Sequence, residues 1–262
     1  MERIVDRVDL IYHLAAVVGV KYVIDDPLHG IYTNVKGTEI VLSLAYKYWK
    51  KVVIASSSEI YGKSRDLPFR ESGDRILGPT DVSRWSYSMS KAIDEHFAFA
   101  YFDKGLPVSI VRYFNSYGPR LDEKGYGSVV ARFIQQALTG HPISVHGDGS
   151  QSRCFTYIED TVEGSILAGE VKAAEGKVFN IAHDQETSIL ELARTIKEQL
   201  NSPSEIQYVP YRSIYGELFE DTPRRVPSIE AARQILGFKP RVGLKEGLKR
   251  TLAWCKEHYN QG

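Results

Sequence analysis

The sequence predicts an α/β protein with a doubly wound parallel sheet and a smaller, mostly helical second lobe. Three observations lead there. Short, nearly continuous apolar runs recur as far as residue 182, each the length of a buried strand. Longer amphipathic segments separate them, as parallel strands joined by right-handed helical crossovers require. Beyond about residue 183 the strand-like runs stop and helical periodicity takes over.

In chain order, VDLIYHLAA (8–16) is the first strand candidate, too short and too uniformly apolar for a surface helix. In GIYTNVKGTEIVLSLAYKYW (30–49), Ile31, Val35, Ile40, Val41, Leu44 and Tyr48 fall near helical spacing. KVVIAS (51–56) is rich in β-branched residues and reads as the next strand. YSMSKAIDEHFAFAYFD (87–103) carries Met89, Ile93, Phe97 and Ala100 along one helical stripe, and GLP stops it. VSIVRYF (108–114) and VFNIA (178–182) are strands, the second preceded by the helix-like IEDTVEGSILAGEVKA. SILELARTIKEQL is an amphipathic helix with Thr187 or Ser188 as its N-cap. After a proline-containing stretch, SIEAARQILGF and GLKEGLKRTLAWCKEHY read as two further helices.

Composition narrows the function classes. Lys plus Arg and Asp plus Glu both number 33 in 262 residues, so no electrostatic footprint favours nucleic acid or an anionic membrane surface. No apolar run approaches the roughly 18 residues a membrane helix needs. MERIVDRVDL alternates charged and apolar residues, unlike a signal peptide. Cys154 and Cys255 lie far apart without metal-ligand spacing, ordinary for a reduced, cytoplasmic protein. The acids Asp122, Glu123 and Asp148 lack metal-ligand spacing, and His13, His96 and His183 are isolated, so no metal is expected.

Chemistry concentrates in two stretches. Tyr87 and Lys91, at i and i+4, share a helix face. A phenol with an ordinary pKa of about 10 is a poor base at neutral pH. A nearby ammonium favours the phenolate and makes proton abstraction from an alcohol feasible. IASSSEIYG (54–62) ends a strand in three serines and a glutamate. In an open parallel sheet, ligands bind beyond the carboxyl ends of the strands. A serine, a tyrosine and a lysine converging on one alcohol would make an oxidation site, although such Ser and Glu residues also serve simply to cap turns.

YHLAA, NVKGT, SSSEIYG, YSMSK, RYFNSYGPR, GDGSQSRCF and LGFKPR occur in the order and spacing of the extended short-chain dehydrogenase/reductases that act on nucleotide sugars. The sequence resembles that family over nearly its whole length. The resemblance implies a Rossmann-like NAD-binding domain (1–118 with 150–183) and a nucleotide-sugar-binding domain (119–149 with 184–262). It implies Tyr87 as the base, and Lys91 as the residue that lowers its pKa and holds the nicotinamide ribose. Ser57 matches the residue that hydrogen-bonds the sugar hydroxyl. Leu14, Ala15 and Ala16 match strand-end backbone along the cofactor. Asn34 matches a structural position beside the active-site helix. Ser58 and Asn115 fall among the substrate-contacting positions, Arg153 matches a phosphate ligand, and Arg225 or Arg224 a second one. It also implies a homodimer through helices 31–49 and 87–103.

Relatives open with a strand and a Gly-x-x-Gly-x-x-Gly loop that receives the NAD pyrophosphate, and no such loop occurs here. The expectation is therefore a sheet lacking its first strands, an exposed edge at VDLIYHL, and weak NAD binding. On the reaction, the resemblance implies oxidation at C4 of a UDP-sugar, with 4-epimerisation as the main reading. A UDP-glucuronate-type decarboxylase is the close alternative, because Ser57-Ser58-Glu59, RWSYS and SRCFT resemble that branch. A 4,6-dehydratase commonly has Asp-Glu where Ser58 and Glu59 stand, so dehydration is disfavoured. Glu59 is the discriminating residue, either a turn cap or a catalyst at C5 or C6. From another class comes an inactive truncated homologue that acts as a binding or dimerisation partner.

Overall fold

A computed structural model describes residues 1–121, 128–216 and 220–259; Asp122 and Glu123 lie outside them. Leu10–His13, Lys51–Ser57, Val108–Tyr113 and Val178–Ile181 form one sheet in that spatial order. Every pairing is parallel, with His13 opposite Ile54, Ile54 opposite Ile110, and Ile110 opposite Val178. All four expected strands are present, and the first lies at the edge of the described sheet.

The strand Lys51–Ser57 shows why its sequence is apolar without alternation. Val52, Val53, Ile54 and Ala55 are all buried, because helices cover both faces. Val52 and Ile54 face one layer with Val41, Leu42, Ala45 and Ala98, from helices Gly37–Tyr48 and Arg84–Asp103. Val53 faces the other, with Val111, Phe179, Ile181 and Ala168, the last from helix Ile158–Glu170. That helix approaches closely because Gly164 has no side chain: a Cβ there would come within 2.5 Å of the Ile181 side chain.

Some boundaries differ from expectation. The first strand ends at His13 instead of reaching Ala16, because the chain leaves the sheet to meet Asn34. Asn34 Oδ1 accepts from Val17 N at 2.7 Å, and its Nδ2 donates to Val17 O and Ser90 Oγ, both at 3.3 Å. This buried amide ties the 14–19 loop to the helices and bears out its structural reading. The helix expected at 30–49 starts earlier, at Pro27, with Asp26 accepting from His29 N. It passes through a π-helical stretch, Tyr32–Lys36, and ends at Trp49 in the left-handed region. The helix expected from Tyr87 begins at Arg84. SIEAARQILGF forms only a short helical piece that includes Ala232–Leu236.

The second lobe has its own core. Phe133 and Ile134 of helix Val129–Leu138 pack with Leu192 and Ile196 of helix Ile189–Leu200 and with Leu248 and Leu252 of helix Leu244–His258. Ser188, not Thr187, is the N-cap, accepting from Glu191 N at 3.1 Å. Strand Ile143–His146 pairs in parallel with Ile206–Val209, a small sheet absent from the sequence expectation. No described helix is long and apolar enough to cross a membrane.

One buried polar network locks helix Arg84–Asp103 to the sheet. Arg112 grips Glu95 bidentately, Nε to Oε1 at 2.9 Å and Nη2 to Oε2 at 2.7 Å. Ser56 Oγ donates to Glu95 Oε1 at 2.5 Å, and Arg112 Nη1 donates to the Tyr61 hydroxyl at 2.8 Å. Both charged side chains are 6 % exposed. Removing one partner of such a pair strands a buried charge, so Glu95→Ala is expected to lose about 3–5 kcal/mol in urea denaturation. A loss below about 1 kcal/mol, the range of exposed pairs, would contradict this role.

Candidate active site

Strand Lys51–Ser57 delivers its last residues into a cleft of about 460 Å³ lined by Ser57, Ser58, Glu59, Tyr87, Lys91 and Asn115 among others. The volume suits a small-molecule site. Ser57 Oγ accepts from Glu59 N at 3.2 Å and so caps the 3₁₀ turn Ser58–Tyr61. Ser88 Oγ donates to Glu59 O at 2.8 Å, pinning that turn to the first turns of helix Arg84–Asp103. The strand end and the helix start are thereby held together, with Ser57, Tyr87 and Lys91 around one opening, as the sequence suggests.

The electrostatics of Tyr87 differ from the sequence expectation. Burial pushes its phenol up to about 12; Glu59 and Asp94 add to this, while a hydrogen bond from Ser57 and the charge of Arg225 oppose it. The Lys91 ammonium is itself held by two partners. Its Nζ donates to Ala55 O at 3.0 Å and to Asp94 Oδ2 at 3.1 Å.

Glu59 belongs to a buried charge cluster. Its Oε1 meets Arg225 Nη1 at 2.8 Å, and its Oε2 meets Arg84 Nη2 at 3.3 Å. Arg84 and Arg153 both reach Asp221 Oδ1, at 3.4 and 2.9 Å. Burial would raise the Glu59 pKa, but Arg225, Arg84 and Arg153 together hold it at about 2. Glu59 is therefore ionised at neutral pH and acts as the counter-ion that orients Arg225; the turn is capped by Ser57 instead. Arg225 of this cluster lines the cleft, where its guanidinium can meet an anionic ligand group.

Strand alternation decides between the adjacent arginines. Arg225 is buried and lines the cleft, whereas Arg224 points outward to Glu186 at 2.7 Å. Arg153, opposite Arg225 in the sheet register, lies behind the cleft wall and donates to Ser152 O and Asp221. Asn115 adopts φ 33°, and its buried Oδ1 finds no hydrogen-bond partner among the described residues while the side chain borders the cleft. A buried amide oxygen of this kind suits a ligand donor. Leu14 and Ala16 line the cleft; Ala15 does not.

Sequence reading missed Arg84, Asp94 and Asp221. Arg84 was within reach, because it precedes Tyr87 by three residues and shares its helix face. Asp94 repeats that logic three residues after Lys91. Asp221 comes from a loop, where no periodicity announces a partner.

The cleft fits the nicotinamide end of a dinucleotide. Leu14, Ala16, Val18 and Val162 supply apolar wall, and Tyr87 and Lys91 supply polar groups for a ribose. A parallel sheet with a serine at a strand end, facing a tyrosine and a lysine on the adjoining helix, defines the short-chain dehydrogenase/reductase class. The chain belongs to the family described as GDP-mannose 4,6 dehydratase, which it matches over residues 1–251, within the NAD-dependent nucleotide-sugar epimerases and dehydratases. It is 42% identical over 260 residues to a UDP-N-acetyl-alpha-D-glucosaminuronate decarboxylase of Bacillus cytotoxicus, covering 99% of this chain and 80% of that one. It is 34% identical to UDP-glucuronic acid decarboxylase 1 of Xenopus tropicalis, covering 96% of this chain and 58% of that protein's length. A UDP-glucuronic acid 4-epimerase from Bacillus cereus, solved with UDP-glucuronic acid and NAD, superposes with a TM-score of 0.85 at 26% identity, covering 98% of this chain and 78% of that one.

The Glu59 assignment has a pH signature. A carboxylate depressed from 4.5 to about 2 contributes stability that is complete above the upper value and is lost as pH falls toward the lower. The urea midpoints of the parent and Glu59→Gln are expected to differ at neutral pH and to converge across that window. A constant difference throughout it would contradict the pairing.

Proposed function

We propose that this protein is an NAD-dependent decarboxylase of a UDP-linked uronic acid, with UDP-N-acetylglucosaminuronate and UDP-glucuronate as the first substrates to try. The observation that carries the reading is the Glu59–Arg225 pair on the cleft wall. Glu59 is held ionised by arginines, which leaves it unsuited to the proton transfers of a dehydratase. Arg225 faces the cleft beside it, which suits a C5 carboxylate. The 42% identity to a uronate decarboxylase favours this reaction over the 4-epimerisation that the motifs alone put first.

In this mechanism the Tyr87 phenolate, formed by loss of its proton to solvent through the open cleft and hydrogen-bonded by Ser57, takes the proton of the C4 hydroxyl. NAD⁺, when bound, supplies the hydride acceptor and later returns the hydride. Leu14, Ala16, Tyr87 and Lys91 would hold its nicotinamide riboside end. The 4-ketone is β to the C5 carboxylate, so the C5–C6 bond breaks with its electron pair passing to an enolate at C4 while CO₂ leaves. Tyr87 then donates a hydrogen bond to the enolate oxygen, as an oxyanion stabiliser does. A proton taken from water at C5 and the Tyr87 proton returned to O4 complete the pentose. Arg225 orients the carboxylate before it leaves, and Asn115 Oδ1 accepts from a sugar hydroxyl.

Incubation with NAD⁺ and each uronate is expected to release CO₂ and form the UDP-pentose, with Tyr87→Phe lowering kcat by about 10²- to 10⁴-fold. Interconversion at C4 without CO₂ would replace this reading with the epimerase. Silence with both uronates would end it.

The exposed apolar residues Ile40 on helix Gly37–Tyr48 and Met89 and Ile93 on helix Arg84–Asp103 further support a homodimer through these helices. Ile93→Asp is expected to give a monomer in sedimentation where the parent gives a dimer. A parent that sediments as a monomer removes the interface.

A further inference from the structure

The Asp221 carboxylate collects donors from four described residues. Its Oδ1 accepts from Thr222 N at 2.8 Å, from Arg153 Nη2 at 2.9 Å and from Arg84 Nη2 at 3.4 Å. Its Oδ2 accepts from the Tyr211 hydroxyl at 2.8 Å. Two guanidiniums, a backbone amide and a phenol aimed at one anion form the kind of donor set that receives a phosphate or carboxylate ligand. The two arginine side chains are only 5 % and 9 % exposed, so each needs a close counter-charge. Burial would raise the Asp221 pKa, but Arg153 and Arg84 hold it below the ordinary carboxylate value, so it is present as the anion.

The arginines and the acid are held in different ways. Arg153 sits in strand Ser152–Cys154, which pairs with Arg224–Arg225 and with Glu186–Ser188. Its Nη1 is anchored on Ser152 O at 2.7 Å. Arg84 opens helix Arg84–Asp103 and borders the cleft. Asp221 lies in the stretch 220–222, outside any helix or strand. At one end of this stretch, Glu220 accepts from Trp85 Nε1 at 3.0 Å and from Lys63 Nζ at 3.2 Å. The Lys63–Glu220 pair is partly exposed, and such pairs hold weakly. At the other end Thr222 is buried and donates to Gly62 O at 3.0 Å. Fixed donors thus face an acceptor on a loop, which is the geometry of a formed anion site with a removable occupant.

We propose that Asp221 is an internal stand-in for the diphosphate of a nucleotide-linked ligand: it neutralises Arg84 and Arg153 in the free protein, and the ligand displaces it. Without a stand-in, two buried guanidiniums would face each other with too little negative charge between them. A diphosphate brings more charge and more acceptor oxygens than one carboxylate, so it wins the exchange. The diphosphate fits better than a sugar carboxylate, because Arg225 already stands beside Glu59 near Tyr87, whereas Asp221 reaches away to Tyr211 on helix Tyr211–Tyr215. Two consequences follow from the geometry. The observed affinity is lowered by the work of displacing Asp221. Departure of Asp221 also draws the adjacent Glu220 off Trp85. The inference rests on the nucleotide-sugar family of the chain and not on the decarboxylation reading.

The test uses UDP, which carries the diphosphate without a sugar and needs neither catalysis nor NAD. Asp221→Asn keeps the side-chain shape and removes its charge, and is expected to bind UDP about 10-fold more tightly in calorimetry at fixed ionic strength. Tyr211→Phe removes one donor from Asp221 and leaves every charge in place. It is expected to bind UDP about 3-fold more tightly, and it serves if the first variant does not fold. Movement is read by ¹⁹F NMR of protein carrying 5-fluorotryptophan, with the Trp85 signal assigned by its loss in Trp85→Phe. UDP is expected to shift that signal in the parent, and Asp221→Asn is expected to show the shifted position without UDP. Free glucuronate, a carboxylate without phosphate, is expected to leave the signal unmoved; a shift with it would overturn the diphosphate assignment. Unchanged or weaker UDP binding in the folded variants overturns the proposal, as does a protein that binds no UDP in any form. Tighter binding with an unmoved Trp85 signal reduces Asp221 to a through-space charge effect and likewise overturns it. The expected results in a protein silent toward uronates would leave the Asp221 inference standing and remove the decarboxylase reading alone.

Discussion

The bidentate grip of Arg112 on Glu95 is the constraint on which the site depends. Helix Arg84–Asp103 presents Tyr87 and Lys91 to the cleft only at one rotation and one height above the sheet. Apolar packing of Ala98 against Ile54 and Val52 sets the distance between layers, but dispersion contacts are non-directional and tolerate small rotations. A planar guanidinium with two parallel hydrogen bonds does not. Ser56 joins the same carboxylate from the residue just before Ser57. The strand end that carries the serine and the helix that carries the tyrosine are thus referenced to a single buried pair.

Much of this was legible in the sequence. The four parallel strands are continuous apolar runs because both faces are covered, and such runs are conspicuous. The Ser57, Tyr87 and Lys91 constellation follows from two rules, that ligands gather at strand ends and that i and i+4 share a helix face. What escaped was the pairing of charges. Lys91 was read as a free cation because its partner, Asp94, looks like an ordinary helix acid among charged neighbours. Glu59 was read as a cap or a catalyst because its partners, Arg225 and Arg84, are 166 and 25 residues away. Local pattern locates a charge, whereas its state depends on contacts that only the fold supplies. Boundaries were missed for a related reason: Leu14 to Ala16 look like strand, but the Asn34 side chain competes for the backbone just beyond them.

The buried arginine cluster shows how segments distant in sequence complete the site. Arg225 and Arg153 come from neighbouring strands of a small sheet outside the main one, and Asp221 from the loop before it. The 3₁₀ turn after strand Lys51–Ser57 supplies Glu59, and the long helix supplies Arg84. None of these elements could bury its charge alone, since an isolated ion in the interior is strongly disfavoured. Association of the segments therefore makes the ionised form of Glu59 tolerable and directs Arg225 into the cleft.

Tyr87 is consequently flanked by two ion pairs, Glu59–Arg225 and Lys91–Asp94, rather than by two bare charges. A paired cation favours the phenolate less than a bare one would. In the proposed reaction the Tyr87 oxygen serves twice: as the phenolate it accepts the C4 hydroxyl proton during oxidation, and as the phenol so formed it donates toward the enolate oxygen once CO₂ leaves. The proton taken in the first step is thus what makes the donor of the second, so the breaking of the carbon–carbon bond needs no further acid at C4.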